Sequence, residues 1–598
     1  MARPIDPTTP YRVNLHVTKG YRYASSRRLV SSPKTGKSYL RQIHWGTVDE
    51  NLKFIPGKLF IVTPPEERKK LVFPDGWDLS AAEQFTGLRK PGRPAIAVQD
   101  ENRLYGHIWL LEKTADAAGL REDLLKVFKG NVELVDIVMT LAIYLICANR
   151  TYRRLANWQR SRKTPSPIEL TPSMITGITQ SITDENRIEL MRLRAARLAK
   201  NELCAVDSTS RSAWGNSLAE IRWGKNKDRL PLAQTLEVVV YCLDSHMPVY
   251  YRTFAGNTPD SRSLETILKD LDSIGIRNVV LITDRGYESI KNLETYIDRN
   301  QRMIMGAKVG QSLIRNTIKD LTFTEHHHPD GMEIDPDKRI YYRQYDLEYQ
   351  VSGHRGNVKK ARKLRLNLYF DPADCISDLT DLDIAIAAQK KGLEELLDSK
   401  ATLDDDSTLA DAYSLFKLEY DPKDRILKSF SRNGEEITSR RLTAGFFANI
   451  THMVDYKAME AYGHYHLREE QERYFAMMKG LMGADRQRNW SQEGKDGRLF
   501  ILFVAQTMAS CLGHLWSTKL RQLKFETMLD VLDEMESIRY VQHPGTEPYI
   551  TPFVGKQVKI CEGLGFEIPK GCAPEYVVRK TNKGKRGRPR KKPQVVGS

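Results

Sequence analysis

Strand-like and helix-like segments alternate between residues 203 and 306 in an order that requires a sheet with helices packed against it. Five segments are typical of strands and two of helices: 203–206, 236–243, 249–254, 278–283 and 302–306, and 261–273 and 289–299. The first strand ends at Asp207 and the fourth ends at Asp284. Because ligands collect at the carboxyl ends of neighbouring strands in α/β sheets, these two carboxylates are candidates for one site.

A third acidic residue lies on an amphipathic segment near residue 470. At 100° per residue on a single helix, Tyr465, Arg468, Glu472 and Lys479 share a stripe about 60° wide. The apolar face of the same helix is predicted to consist of Leu467, Tyr474, Phe475, Met478, Leu481 and Met482. A carboxylate flanked by arginine, lysine and a phenol suits a metal ion held against a phosphodiester.

The three acids, Asp207, Asp284 and Glu472, are the candidate catalytic residues and metal ligands. Hard oxygen ligands suit Mg²⁺ or Mn²⁺, which keep some waters and bind substrate phosphates. Two such ions, roughly 3.5–4 Å apart, can activate an attacking oxygen and stabilise a leaving one. Arg468 and Lys479 would then neutralise phosphates nearby. For any one aspartate taken alone, a turn or cap residue is the alternative interpretation.

These motifs resemble those of a bacterial insertion-sequence transposase of the DDE class with a YREK signature. The resemblance covers about residues 100–520, and the residues that carry it are Ala205 to Thr209, Ile282 to Tyr287 and the Tyr-x2-Arg-x3-Glu-x6-Lys pattern from Tyr465 to Lys479. It implies a ribonuclease H-like catalytic domain in which the three acids bind Mg²⁺. It also implies that Tyr465, Arg468 and Lys479 contact DNA at the transposon end.

The long segment between the second and third acids also resembles that family, which carries a strand-rich insertion there. It spans 188 residues here (472 − 284 = 188). Some relatives stack a flipped base on a tryptophan of the insertion, but no tryptophan lies between Asp284 and Glu472. The resemblance therefore leaves base flipping open.

The charge distribution points to a nucleic acid partner. Of the net charge of +16, the last 20 residues (579–598) contribute nine Lys or Arg and no acid, which leaves +7 for the rest (16 − 9 = 7). Within this tail, Arg586-Gly587-Arg588-Pro589 is similar to the AT-hook core, whose arginines enter the minor groove of A·T-rich DNA. A generic basic tail that binds phosphates is the alternative.

Several other classes of function are disfavoured. Seven cysteines are scattered singly without a CxxC pair, which indicates a reducing compartment and no zinc site. The apolar run 499–516 is interrupted by polar residues, so we expect a buried helix and no membrane span. A phosphate-binding loop ending at Gly36-Lys37-Ser38 would need a glycine where Ser31 stands, so no nucleotide cofactor is expected. We expect a cytoplasmic, nucleoid-associated bacterial protein.

The predicted fold is α/β: a ribonuclease H-like mixed sheet flanked by helices, with a strand-containing insertion between the second and third acids. Six regions are predicted: an N-terminal β-hairpin unit (1–75), a helical region that is a candidate for binding DNA ends (100–200), the first part of the catalytic core (201–310), the insertion (311–440), the second part of the core (441–540) and the basic tail (579–598).

The predicted function is that of a DNA transposase working as a homodimer on double-stranded DNA. Such an enzyme binds terminal inverted repeats, cleaves them and joins 3′-hydroxyl ends to target DNA by two-metal phosphoryl transfer. Two alternatives stay open. One is a ribonuclease H-like nuclease or resolvase without strand transfer, and the other is a non-catalytic DNA-binding protein derived from a transposase.

Overall fold

The structure is a computed structural model in which one large mixed sheet is surrounded by helices. It describes residues 11–18, 20–31, 38–83, 85, 101–148, 151–213, 218–227, 230–321, 329–350, 361–399, 412–421, 426–484, 486–487, 491–543 and 546–569.

The N-terminal part is a four-stranded antiparallel sheet in the order β2-β3-β4-β5, with β1 and β6 paired separately in parallel. Its elements are β1 Tyr11–Arg12, β2 Asn14–Thr18, β3 Tyr21–Ser31, β4 Ser38–Val48, β5 Phe54–Pro56, α1 Lys58–Val62, α2 Pro65–Arg68 and β6 Leu71–Val72. The rings of Phe54 and Phe60 are fully buried and meet edge to face at 5.3 Å between centroids. This aromatic contact ties the sheet to α1.

A helical region follows and forms much of the hydrophobic core. Its elements are β7 Glu101–Leu104, α3 Gly106–Ala117, α4 Leu120–Val127, α5 Val132–Ala148, α6 Leu155–Gln159, α7 Pro172–Ser181 and α8 Asp184–Ala195. Threonine caps begin two of these helices: Thr171 accepts from the backbone N–H of Met174, and Thr183 accepts from that of Asn186. Such caps satisfy N–H groups that have no partner within the helix.

The centre of the molecule is a sheet in the order β10-β9-β8-β11-β12, with β9 and β10 antiparallel to their neighbours and β8, β11 and β12 mutually parallel. The elements are β8 Leu203–Ala213, β9 Gln234–Cys242, β10 Met247–Ala255, α9 Asp260–Ser273, β11 Val280–Thr283, α10 Ile290–Asp298, β12 Met303–Ala307 and α11 Ser312–Lys319. All nine residues of β9 are buried. This arrangement confirms the predicted ribonuclease H-like mixed sheet.

The segment before the third acid divides into two parts. Its elements are β13 Glu333–Asp335, β14 Ile340–Gln350, β15 Ala361–Phe370, α12 Pro372–Ser399, β16 Phe416–Tyr420, β17 Leu427–Arg432 and α13 Gly434–Thr443, followed by β18 Phe446–His452. The first three strands extend the central sheet, because β18 pairs with β12 on one side and with β15 on the other. Helices α12 and α13 and the β16–β17 hairpin form a small core of their own.

The C-terminal part closes the core with a long helix. Its elements are α14 Ala458–His466, α15 Glu469–Gly480, β19 Arg486–Gln487, α16 Gln492–Lys519, α17 Met528–Glu536, β20 Arg539–Gln542, β21 Tyr549–Ile550 and α18 Lys556–Leu564. Among the described residues, α16 alone is long and apolar enough to cross a membrane by itself, yet 72% of its most apolar window is buried inside the protein. It packs against α5, α7 and β10 as a core helix.

We predict that Gly497→Ala destabilises the protein. In α16, a Cβ atom at Gly497 would overlap the carbonyl oxygen of Thr179 in α7. Overpacking of this kind costs about 1–3 kcal/mol, so the apparent melting temperature should fall by roughly 2 °C or more. Gly513→Ala in the same helix is the matched control, because its nearest neighbour, Met528 Sδ, would lie 3.9 Å away. A Gly497→Ala variant that melts at or above the wild-type temperature would contradict the close crossing.

Candidate active site

The parallel pairing of β8 with β11 brings two of the predicted acids side by side. The register pairs Val206 with Thr283, so the next residues along the two strands are Asp207 and Asp284. Strand β11 ends at Thr283, whereas β8 continues to Ala213. The prediction of a strand end at Asp207 is therefore wrong. Asp207 lies within β8, at the level where the neighbouring strand β11 ends. Beyond this level, β8 has no partner from β11, and that side of the strand is open at Asp207.

The third acid comes from α15, whose buried face fixes its rotation. Gln471 donates from Nε2 to the backbone oxygen of Val239 in β9 at 2.8 Å, and the Tyr474 hydroxyl bonds to Gln506 in α16. Met478 is fully buried one turn further on. These contacts leave Glu472 on the open side of α15, with 57% of its side chain exposed.

The signature segment is two helices, so the prediction of one continuous helix is wrong. Tyr465 lies in the last turn of α14, which ends at His466, and α15 begins at Glu469, after Arg468. At this junction, the N–H groups of Arg468, Glu470 and Gln471 bond to carbonyls three residues back, a tighter turn than the α-helix. Leu467, predicted to be buried, is 43% exposed at the break.

The guanidinium of Arg468 lies within ion-pair distance of all three acids. Its Nη1 is 3.2 Å from Glu472 Oε1 and 3.9 Å from Asp207 Oδ2, and its Nη2 is 3.9 Å from Asp284 Oδ1. Burial opposes the charged form of Arg468, but the three carboxylates outweigh it and raise the pKa of the guanidinium. One cation is thus shared by carboxylates from a strand, a strand end and a helix.

Tyr465 lies beside the acids and Arg468, but it is buried and belongs to α14, not to the polar stripe of a single helix that the sequence predicts. Its ring is only 4% exposed, and its hydroxyl donates to Asp284 Oδ1 at 3.3 Å. Burial raises the pKa of Tyr465 to about 12, so the phenol remains a hydrogen-bond donor at neutral pH. A buried ring offers no face for base stacking in this conformation. Lys479 is half-buried on α15, about 10 Å beyond Glu472 along the helix axis.

A second cation, which sequence reasoning missed, contacts Asp207 from the other side. Lys227 Nζ lies 3.5 Å from Asp207 Oδ1 and 3.4 Å from Asp260 Oδ2, and it donates to the Ser208 hydroxyl at 2.7 Å. Lys227 lies in an irregular loop, and Asp260 looks from sequence like an ordinary first-turn helix residue. No periodic pattern could have placed either beside Asp207.

Burial and the neighbouring charged groups together shift the pKa of Asp207. Burial raises the pKa of Asp207, and Lys227, the backbone N–H of Ser208 and Arg468 only partly offset it. In front of Asp284 and Glu472 a cavity of about 560 Å³ opens, with Arg285 and Arg473 on its wall. The cavity gives a charged substrate access to the acids.

The residues present fit a divalent cation in chemistry. Asp207, Asp284 and Glu472 offer hard oxygen donors, and they already share one cationic group, the guanidinium of Arg468. Within the described part of the chain, no three His, Cys, Asp or Glu side chains lie in ligand geometry. Glu472 is 57% exposed and its contact in the site is the guanidinium of Arg468, so a metal ion could take the place of that guanidinium between the acids. The predicted tail residues Arg586 and Arg588 lie outside the described residues.

Comparison with known proteins shows similarity over the catalytic sheet. A family model described as the transposase DDE domain matches residues 199–508, more than half of the chain, and this span includes all three acids. No curated protein matches the chain. A solved structure described as the piggyBac transposase synaptic complex with hairpin DNA is 9% identical, with a TM-score of 0.30, over 75% of this chain and 90% of that one. A similarity at that level places no residue of this chain.

We predict that Asp207→Asn stabilises the metal-free protein at neutral pH. Because the folded state raises the pKa of Asp207, its contribution to stability is present below the unfolded value of about 3.9 and is lost as the pH rises through the folded value. The variant should therefore melt above the wild type at pH 7.5 in EDTA, and the difference should shrink towards pH 4.

Asp381→Asn, at an exposed position of α12, is the control and should show no such trend. An Asp207→Asn variant that melts at or below the wild type at pH 7.5 would contradict the assignment of burial as the dominant cause.

Proposed function

Because this chain belongs to the DDE transposase family, we propose that it cleaves DNA at transposon ends and joins the resulting 3′-hydroxyls to target DNA. One observation carries the proposal: the carboxylates of Asp207, Asp284 and Glu472, contributed by three separate elements, converge on a single cationic group. Three carboxylates held close together at an open sheet edge repel one another and destabilise the fold, unless a cation or a substrate compensates their charge.

In this proposal the three acids are the metal ligands and Mg²⁺ is the ion, with Mn²⁺ able to replace it. Asp207 and Asp284 present oxygens from neighbouring strands of the sheet, while Glu472 approaches from α15 on an exposed side chain. When bound, two such ions would activate the attacking oxygen and stabilise the leaving one. The sheet thus positions two ligands, and the exposed glutamate of α15 completes the set.

Two displacements at phosphorus account for the overall reaction without any oxidant or energy source. In the first, a water oxygen bonds to phosphorus and the P–O bond to the 3′ oxygen breaks, which leaves a 3′-hydroxyl and a 5′-phosphate. In the second, that 3′ oxygen bonds to a target phosphorus and the target's own 3′ oxygen leaves. Each step exchanges one P–O bond for another and transfers one proton from nucleophile to leaving group.

Arg468 and Lys479 are the proposed phosphate contacts. In the free protein the Arg468 guanidinium is held by the acids that metal ions would take. Once displaced, it would be released into the adjoining cavity, where its planar donors suit a phosphate. The Tyr465 hydroxyl, already on Asp284, would orient that carboxylate or donate to a phosphate.

The proposed partners are transposon terminal inverted repeats and target DNA, bound by a homodimer that pairs two ends. The basic tail would add affinity, with Arg586 and Arg588 entering the minor groove of A·T-rich sequence. We place this activity on chromosomal DNA in a bacterial cytoplasm.

We predict that Glu472→Gln removes DNA cleavage and leaves DNA binding nearly unchanged. Loss of one metal ligand removes several kcal/mol of transition-state stabilisation, so the rate should fall about 1000-fold or more. The measurement is Mg²⁺-dependent nicking of a duplex taken from the DNA that flanks the native coding region. Glu470→Gln on the same helix is the matched control, because Glu470 lies about 200° around α15 from Glu472 and lines a different cavity, beside His246 and His514.

Three outcomes separate the alternatives. Cleavage retained by Glu472→Gln would exclude this site. Cleavage by the wild type without any joined product on a target plasmid would identify a nuclease or resolvase. Absence of metal-dependent nicking in the wild type, with binding intact, would identify a non-catalytic DNA-binding protein.

A further inference from the structure

Lys227 is held beside Asp207 by more oxygen atoms than its ammonium group has protons. Its Nζ donates to the backbone oxygen and to the hydroxyl of Ser208, both at 2.7 Å. It also lies 3.5 Å from Asp207 Oδ1 and 3.4 Å from Asp260 Oδ2. An ammonium group has three N–H donors, and four oxygens compete for them. The position of this charge is therefore fixed by the fold.

The loop that carries Lys227 is itself bonded to β8. The backbone N–H of Lys227 donates to the hydroxyl of Ser210 at 3.1 Å, and the side chain of Asn226 donates to that of Ser212 at 3.0 Å. Ser208, Ser210 and Ser212 lie on one face of the strand, because successive side chains alternate between its faces. Three serines of β8 thus set the position of the lysine along the strand.

The two carboxylate oxygens of Asp207 have different partners. Oδ1 accepts from the backbone N–H of Ser208 at 2.7 Å and lies on the side of Lys227. Oδ2 lies 3.9 Å from Nη1 of Arg468, the cation that is shared with the other two acids. An ion that took the place of the guanidinium would therefore meet Oδ2 and leave Lys227 in contact with Oδ1.

Lys227 also differs from a lysine that serves the core alone. Lys495 pairs with Glu220, and none of its side chain is exposed, so a ligand cannot reach its charge. The side chain of Lys227 is 36% exposed, although its ammonium has several partners. A cation that is both fixed and accessible loses little conformational entropy when it contacts a phosphate, because binding does not have to order it.

Asp260 supplies a negative charge that holds Lys227 independently of the three acids. It is the first residue of α9, its Oδ1 accepts from the hydroxyl of Ser208 at 2.5 Å, and its Oδ2 faces the ammonium. The carboxylate also packs against the turn after β11, since a Cβ atom at Gly286 would lie 3.3 Å from Oδ2. When a metal ion takes up the charge of Asp207, Asp260 still balances the lysine.

We propose that Lys227 binds a backbone phosphate of the DNA strand held at the acids, and that Asp260 is the positioning residue that keeps its ammonium in place. This contact rests on the proposed function, since it takes DNA as the ligand and divalent ions as the occupants of the acids. Arg468 and Lys227 contact different oxygens of Asp207. A phosphate bound at the acids would therefore meet a cation on each side of Asp207.

The test compares DNA binding with and without a divalent ion. The probe is a labelled duplex from the DNA that flanks the native coding region, titrated with full-length protein in EDTA and again in Ca²⁺, which binds carboxylate oxygens. In EDTA the ammonium stays on Asp207 and Asp260, so Lys227→Met should change the affinity less than about twofold. In Ca²⁺ the same variant should bind about tenfold more weakly than the wild type, the loss expected for one charge-assisted hydrogen bond.

Lys225→Met is the matched control, because Lys225 is exposed on the same loop and the change in net charge is the same. Its effect should be equal in EDTA and in Ca²⁺. Lys227→Gln keeps an N–H donor for Ser208 and replaces Lys227→Met if melting curves show that the methionine variant is unfolded. A folded Lys227 variant that loses the same factor in both conditions, or loses nothing in either, would overturn the inference. So would an equal Ca²⁺-specific loss in Lys225→Met.

A double-mutant cycle tests the positioning role of Asp260. Asp260→Asn keeps an acceptor for the hydroxyl of Ser208 and removes the charge that faces Lys227, so it should weaken binding in Ca²⁺ about threefold. If Asp260 acts through Lys227, the Lys227→Met/Asp260→Asn variant should bind no more weakly than Lys227→Met alone. Additive losses would overturn the assignment of Asp260.

Because binding in Ca²⁺ is measured separately from cleavage, the two proposals can fail independently. A Ca²⁺-specific loss in Lys227→Met, with no cleavage by the wild type, would support the phosphate contact and contradict the catalytic proposal. Cleavage that is lost in Glu472→Gln, with no Ca²⁺-specific loss in Lys227→Met, would contradict the phosphate contact alone.

Discussion

The parallel pairing of β8 with β11 is the constraint on which the active site depends. Side chains alternate between the two faces of a strand, so a slip of one residue in this register would send Asp284 to the opposite face from Asp207. The slip is prevented by burial, because all four residues of β11 and the first four of β8 lie in the core. The hydrophobic core of the sheet therefore determines the distance between two acids.

The acids in turn require the cations beside them. Carboxylates held close together and partly removed from water repel one another, and the raised pKa of Asp207 shows that the cost is not fully offset. Arg468 contacts the group from α15's N-terminus and Lys227 contacts it from the loop after β8. Because Arg468 and Lys227 belong to the protein, they offset the repulsion between the acids when no metal is bound. Once metal ions bind the acids, both cations could donate hydrogen bonds to a phosphate. The same residues serve the free and the bound state.

The sequence predicts the features that depend on residues close together in the chain and misses those that depend on distant contacts. The alternation of strands and helices depends on neighbours within a few residues, and so does the apolar face at Tyr474, Phe475 and Met478. The structure confirms both. The break at Leu467 was missed because a tight turn of three-residue hydrogen bonds continues the helical pattern of the chain. Lys227 was missed because its position depends on how a loop folds back along β8, through its backbone bond to Ser210. The extension of the catalytic sheet by β13–β15 depends equally on distant pairing.

The net charge of the body, taken as one sum, conceals how unevenly the charge is distributed along the chain. A body of +7 suggests a mildly basic surface, but residues 11–62 alone hold +8, and the residues outside that range and the tail sum to −1. This separation has a physical reason. A site built from three carboxylates repels phosphates, so the attraction that brings DNA to it must come from elements far enough away not to neutralise the acids themselves. With most of the net positive charge in residues 11–62 and 579–598, the long-range attraction for DNA in the proposed function does not depend on cations that would neutralise the acids.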